Sequence, residues 1–130
     1  ADVTGLTVPL AANTDYGFML FLRYRSAATG CGLSLGLNGP AVPEGLEPGW
    51  DSGIQTTGGP STSSVQHKAQ VAAEVLHTTA SVDIANTTRF ARFAGVWPVG
   101  AVGGDLVCRL APEINGTEVK VLRGSWLLAF

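Results

Sequence analysis

The sequence predicts an all-β domain: an antiparallel β-sandwich, jelly-roll-like, with about seven or eight strands and one long loop. Two observations predict it. Short runs rich in Val, Leu, Thr and aromatic residues recur between Gly, Pro, Asn and Asp residues. Sustained helical periodicity is hard to find along the chain. The length of 130 residues and the absence of an internal repeat or linker favour a single domain over residues 1–130.

The first half of the chain supplies two strong strand predictions. Val3 to Pro9 reads as the first strand, and Asn13-Thr14-Asp15 as a turn. The second strand runs from Tyr16 to Tyr24, and both of its faces are apolar at first. We therefore expect it to be central in a sandwich or covered on both sides. The odd-numbered face becomes basic and reaches water or a partner; in order it carries Gly17, Met19, Phe21, Arg23 and Arg25.

The middle of the chain is less clearly patterned. Leu33, Leu35 and Leu37 alternate with small or polar residues, which predicts a half-buried strand ending at Asn38-Gly39-Pro40. Residues 39–64 are rich in Gly, Pro, Ser and Thr and predict a long variable loop, with room for one short strand near Ile54. The segment from Val65 to Leu76 fits a helix or a strand, and the β character of the rest favours a strand.

The second half predicts three further strands. Arg89 to Trp97 places Phe90, Ala94 and Val96 on one side, interrupted by Arg92. The next strand is Asp105 to Leu110. Asn115-Gly116 is typical of a type I′ hairpin, which would join that strand to a final strand from Thr117 to Leu128.

Composition limits the classes of partner. The chain is 45% hydrophobic but only 14% charged, against about 25% in typical soluble domains. Such a neutral surface favours association, although a genome that favours Ala, Gly and Val would give the same composition. Eight scattered basic residues and a net charge of −2 argue against nucleic-acid binding. No apolar run approaches the ~18 residues of a membrane span.

Cys31 and Cys108 do not make a disulfide scaffold. Cys108 shares a strand face with Leu106 and Leu110, which favours a buried free thiol that acts as a small hydrophobe. A bridge between the two cysteines is the alternative, if their strands are neighbours. Neither has a His or another base nearby in the sequence, as a catalytic thiol would need.

No motif for catalysis or metal binding is found. His67 and His77 are ten residues apart, which is not a spacing of metal ligands. The sequence lacks the G-x-S-x-G and P-loop patterns, and its acidic residues form no clear catalytic pair. We therefore predict a protein that is not an enzyme, with no catalytic residue, metal or cofactor.

Six residues are the candidates for interface or ligand contacts. Each of the three tryptophans packs in the core or an interface, or else stacks on a ligand such as a sugar. Core or interface packing is the favoured interpretation. The basic half of the second strand supplies the other candidates, so the full set is Trp50, Trp97, Trp126, Phe21, Arg23 and Arg25.

The order of short segments resembles a small all-β domain family of tailed-phage and prophage virion structural proteins. The likeness is clearest over residues 4–41 and 81–127 and weak over 42–80. Relatives tend to finish with a basic tail, whereas this chain ends Leu128-Ala129-Phe130. The segments that carry the likeness include Thr4-Gly5-Leu6-Thr7-Val8-Pro9-Leu10, Leu35-Gly36-Leu37-Asn38-Gly39-Pro40, Gly103-Gly104-Asp105-Leu106-Val107 and Gly124-Ser125-Trp126-Leu127.

The resemblance implies a non-enzymatic virion protein. The first of two possible functions is that of a capsid decoration, cement or head-surface protein that stabilises the particle. It would assemble with itself, a trimer being one fitting arrangement, and with virion proteins such as the major capsid protein. The alternative is a receptor- or carbohydrate-binding module of a spike or tail fibre, with the loop 39–64 and Trp50 meeting a host-surface glycan.

Overall fold

Ten β-strands carry all of the regular structure in the residues that the computed structural model describes, namely 2–46, 48–54, 64–69, 77–78 and 85–130. No helix in this part of the chain could span a membrane. The strands are β1 (Asp2–Leu10), β2 (Asp15–Ser26), β3 (Leu33–Asn38), β4 (Gly49–Ile54), β5 (Ser64–Ala69), β6 (His77–Thr78), β7 (Arg89–Pro98), β8 (Gly104–Pro112), β9 (Val119–Val121) and β10 (Trp126–Ala129).

The strands form two antiparallel sheets with jelly-roll topology. The four-stranded sheet has the order β1-β8-β3-β6, and the six-stranded sheet has the order β10-β2-β7-β4-β5, with β9 also on β2. Strand β1 pairs with β8, β2 with β7, β3 with β6 and β4 with β5. These are the pairs of one long hairpin rolled into two layers, as in an eight-stranded jelly roll. The predicted all-β sandwich is confirmed.

The core lies between the two sheets and follows the alternation of the strands. From Gly17 to Ser26 in β2 the even-numbered side chains are buried and the odd-numbered positions are partly exposed. The six-stranded sheet also contributes Trp50, Ala91, Phe93 and Trp97, and the four-stranded sheet contributes Leu33, Leu35, Leu37, Leu106 and Cys108. Burial of each large apolar side chain stabilises the fold by about 1.5–3 kcal/mol.

The region predicted as one long loop over residues 39–64 contains strand β4. Trp50 pairs with Gly95 of β7, and its side chain is buried. A short strand was expected near Ile54, and β4 ends there. Residues 55–63 lie outside the described residues. The Gly- and Ser-rich composition hid a strand that is stabilised by its pairing with β7.

The ambiguous segment from Val65 to Leu76 is a strand as far as it is described. Residues 64–69 form β5, which pairs with β4 from Ser64 to Ala69. The favoured strand interpretation is confirmed over this stretch, and residues 70–76 lie outside the described part of the chain.

The predicted hairpin at Asn115-Gly116 is wrong. Strand β8 pairs with β1 and β3, whereas β9 pairs with β2, so the turn carries the chain from one sheet to the other. The amide of Thr117 donates to the carbonyl of Ile114 at 3.2 Å. Only Gly116 of the two central residues has a positive φ, +87°, whereas a type I′ turn needs a positive φ at both.

The predicted final strand, Thr117 to Leu128, is divided into β9 and β10, both on β2. Tyr24 pairs with Val121 and Phe21 pairs with Trp126, so the chain loops out between them. The Ser125 hydroxyl accepts a hydrogen bond from the amide of Arg23 at 2.9 Å and contacts the Leu122 carbonyl at 2.9 Å. This side chain replaces the missing rung of the ladder.

Both cysteines are buried free thiols. Leu37 is the ladder partner of Cys108, and Cys31 lies six residues before Leu37 along the chain. At about 3.3 Å per residue this separates the cysteines by roughly 20 Å, too far for a disulfide. Burial raises the pKa of the Cys108 thiol to about 12, which makes it a poor nucleophile. The predicted structural thiol at Cys108 is confirmed.

Candidate interaction face

Two of the predicted contact residues, Trp50 and Trp97, lie in the core. They are 3% and 4% exposed, and their rings stack 6.4 Å apart at an interplanar angle of 9°. Phe18 meets both rings edge-on, at 6.4 and 6.5 Å. The indole N–H of Trp97 donates to the carbonyl of Pro40 at 3.0 Å.

Trp50 and Trp97 therefore have no exposed ring face on which a sugar could stack. Their prediction as ligand contacts is wrong, and core packing is the correct interpretation. The physical reason is that Trp50 lies on β4 of the six-stranded sheet, with its side chain in the core, and not at a loop tip. The idea of a sugar-binding loop loses the residue on which it depended.

The outer side of the six-stranded sheet carries the strongest surface feature. Strand β2 lies between β10 and β7, and its odd-numbered side chains point away from the core. Apolar side chains of all three strands meet on this side, and we call them the outer apolar face. Its members are Met19, Phe21, Phe90, Val96, Trp126, Leu128 and Phe130.

An aromatic stack crosses the middle of the outer apolar face. Phe21 pairs with Trp126 in the ladder, and their rings lie 6.0 Å apart at 25°. On the other side, the Phe21 ring lies 5.6 Å from that of Phe90 at 32°. Such offset aromatic pairs add about 0.5–1.5 kcal/mol each beyond the area they bury. The stack is therefore a preformed and rigid surface.

Phe130 extends the face beyond β10. Its amide and carbonyl exchange hydrogen bonds with the carbonyl and amide of Gly17, both at 2.9 Å. A side chain at Gly17 would collide with the Phe130 ring, since a Cβ there would lie 2.7 Å from Cε2. The absence of a side chain at Gly17 lets the ring lie flat on the sheet.

The outer apolar face leaves much apolar area in water. Five of its members are between 43% and 69% exposed: Phe90, Val96, Trp126, Leu128 and Phe130. Because a large aromatic covers about 150–250 Å², these five leave about 500 Å² accessible. Exposed Arg92 of β7, level with Phe21, interrupts the apolar area between Phe90 and Val96. Single exposed hydrophobic residues are ordinary, but apolar surfaces of this size mark interaction sites in many proteins.

The same sheet surface becomes basic toward one end. Arg23 pairs with Phe90 across β2 and β7, and Arg25 pairs with Lys120 across β2 and β9. The Arg23 guanidinium donates to the carbonyl of Arg123 at 2.8 Å. The Nε of Arg25 has no hydrogen-bond partner among the described residues. At the opposite end of β2, Asp15 is exposed.

The predicted candidates Phe21, Arg23, Arg25 and Trp126 thus lie together on one surface. Five members of the face were not among the predicted candidates: Met19, Phe90, Val96, Leu128 and Phe130. The signal was present in the alternation of β2 and β7, since each of these strands carries apolar side chains on both faces. A strand that is apolar on both faces is typical of a sheet that is covered on both sides.

A groove on the described surface has a lining that is poor in catalytic side chains. The groove opens between β1 and the turn that joins β9 to β10, and its lining includes Thr4, Leu122, Arg123 and Ser125. Arg123 is the only titratable residue in that lining. The described lining contains no His, Asp, Glu, Cys or Lys, the side chains that most often act as general acids or bases.

Comparisons with known proteins identify no relative: no protein-family model, curated protein or solved structure matches this chain.

Proposed function

We propose that this domain is a non-enzymatic structural protein of a tailed-phage virion, in the role of a capsid decoration, cement or head-surface protein. The observation that carries the proposal is the outer apolar face, a rigid aromatic surface open to water on one sheet of a jelly roll. The resemblance of the sequence to virion structural proteins suggests that the neighbour that covers this face is part of a phage particle.

The physical reason is the gain from covering that face. Exposed apolar area of about 500 Å² corresponds to about 12 kcal/mol when removed from water, at about 25 cal/mol per Å². Much of this gain is offset by the entropy of association. A neighbour in the particle that covers the face would thus hold subunits together without any chemical reaction.

The alternative, a carbohydrate-binding module of a spike or fibre, has less support. Of the three tryptophans only Trp126 has an exposed ring, and that ring already stacks on Phe21. A glycan array would test this alternative with the wild-type protein and Trp126→Ala. Glycan binding that is lost in the variant would favour the binding module.

Heat resistance of phage particles tests the proposal. Particles that lack the protein should lose infectivity at lower temperature than complete particles, and wild-type protein added back should restore resistance. Leu128→Asp, which places a charge on the outer apolar face, should not restore it. Asp105→Arg, an exposed position on the other sheet, is the matched control and should restore it. Equal resistance with and without the protein would contradict the proposal.

A further inference from the structure

We propose that the outer apolar face binds the same face of a second copy of this chain, related by a two-fold axis with the strands antiparallel. The inference rests on the proposed function in that it names the partner of the same surface. The axis would run between the two faces, across the strands, at the level of Leu20.

Charge along β2 favours this orientation. The outward positions run from Asp15 at one end to Arg23 and Arg25 at the other, with Met19 and Phe21 between them. A copy turned end to end places Asp15 opposite Arg25. A two-fold axis parallel to the strands would instead place Arg23 and Arg25 of one copy near the same arginines of the second copy. Such contacts between like charges are unfavourable.

The apolar side chains are also complementary to themselves in this arrangement. The ladder places Trp126 level with Phe21 and Leu128 level with Met19. Rotation about an axis at the level of Leu20 therefore puts Trp126 over Leu128. In the same way Phe90, level with Arg23, comes over Val96, level with Gly17. Each bulky apolar residue meets a smaller one, as in interdigitated packing. Exposed Arg92, level with Phe21, comes over Ala94, level with Met19.

The size of the surface suits a dimer. Strand β2 has 12 residues, and at about 3.3 Å per residue it extends for about 40 Å. The three neighbouring strands β10, β2 and β7, at about 4.8 Å each, give a width of about 14 Å and an area of about 570 Å². Two such faces together bury about 1,100 Å², just above the roughly 1,000 Å² that a specific interface needs.

A closed ring of three copies would need a second patch to receive the face, because its contacts join two different surfaces. The other exposed large hydrophobic residues in the described part of the chain lie in three separate loops, as Leu46, Val102 and Ile114. The outer apolar face of a second copy is therefore the best complement for this face. This favours a two-fold dimer over a trimer, which was one arrangement that fitted the resemblance.

Sedimentation equilibrium tests the inference. The wild-type protein should reach twice the chain mass of 13.4 kDa at micromolar concentration. Leu128→Asp should raise the dissociation constant about 30-fold or more. Arg25→Glu and Asp15→Arg should each raise it about tenfold, while the control Asp105→Arg leaves it unchanged. Circular dichroism of each variant verifies that it is folded.

A mixture of two charge-reversal variants tests the antiparallel orientation of the dimer most sharply. An equimolar mixture of Arg25→Glu with Asp15→Arg should recover the wild-type dissociation constant, because both charge pairs are restored across the axis. A monomer at 100-fold higher concentration, a trimer, insensitivity to Leu128→Asp or no recovery in the mixture would each overturn the inference. A monomer that still protects particles from heat would leave the proposed function standing, and a dimer that does not protect them would leave only the inference.

Discussion

Gly95→Ala should be among the most destabilising single-methyl changes in this domain. Gly95 pairs with Trp50 across β4 and β7. A Cβ at this position would lie 2.1 Å from the carbonyl oxygen of Gly49 and 2.6 Å from the Cα of Trp50. These are backbone atoms, so no side-chain rotation relieves the collision, and β4 must move away from β7.

The cost can be worked out from the contacts that this movement breaks. Two ladder hydrogen bonds contribute about 2 kcal/mol, and the contacts of Trp50 with Trp97 and Phe18 contribute about 2 kcal/mol more. Replacement of glycine returns about 1 kcal/mol through lower entropy of the unfolded chain. The net loss is about 3 kcal/mol, or a fall of about 10 °C in Tm for a domain of this length.

Urea unfolding followed by near-UV circular dichroism measures this loss, because the tryptophan stack gives the signal. Gly104→Ala is the matched control: a Cβ there would meet the Pro40 Cβ at 3.4 Å and the Pro40 Cα at 3.9 Å, which are ordinary contact distances. The control should stay within about 1 kcal/mol of the wild type. If Gly95→Ala is as stable as the control, the close approach of β4 to β7 is not present in the protein.

Three further predictions concern the rest of the fold. Ser125→Ala removes the acceptor of the Arg23 amide and should lower the free energy of unfolding by about 1–2 kcal/mol in urea, whereas Thr7→Ala, at an exposed position, should change it little; equal stability of the two variants would contradict the role of Ser125 between β9 and β10. The pKa of Cys108 is raised from 9.0 to about 12, so the unfolded chain loses this proton first as the pH rises. The free energy of unfolding should therefore fall by about 1.4 kcal/mol per pH unit more in the wild type than in Cys108→Ala above pH 9; parallel slopes would refute this. Both thiols are buried and should react with a thiol reagent only after unfolding; rapid labelling of the native protein would show that a cysteine is accessible.

The parts of the fold that follow from local alternation were predictable. Strand β2 has the alternation expected from its sequence, and the burial of Cys108 followed from its place beside Leu106. The alternation of apolar and polar residues within a strand shows which of its sides faces the core. Neither the alternation of β2 nor the burial of Cys108 therefore depends on a distant partner.

The features that depend on distant partners were not predictable. Strand β4 exists because Trp50 fits against Gly95, 45 residues further along the chain. Asn115-Gly116 marks a turn, but a local turn signal does not say whether the flanking strands pair with each other. The alternation of β7 showed two apolar faces, yet only the assembled sheet brings Phe90 beside Phe21.

The solvent accessibility of the outer apolar face in the assembled particle shows whether a neighbour in the virion covers that face. Hydroxyl-radical footprinting would compare intact virions with the dilute Leu128→Asp variant, with Leu46 and Ile114, both exposed loop residues, as internal references. We expect Trp126 and Phe90 to be oxidised several-fold less in virions than in the variant. Equal oxidation of Trp126 and Phe90 in both samples would contradict it.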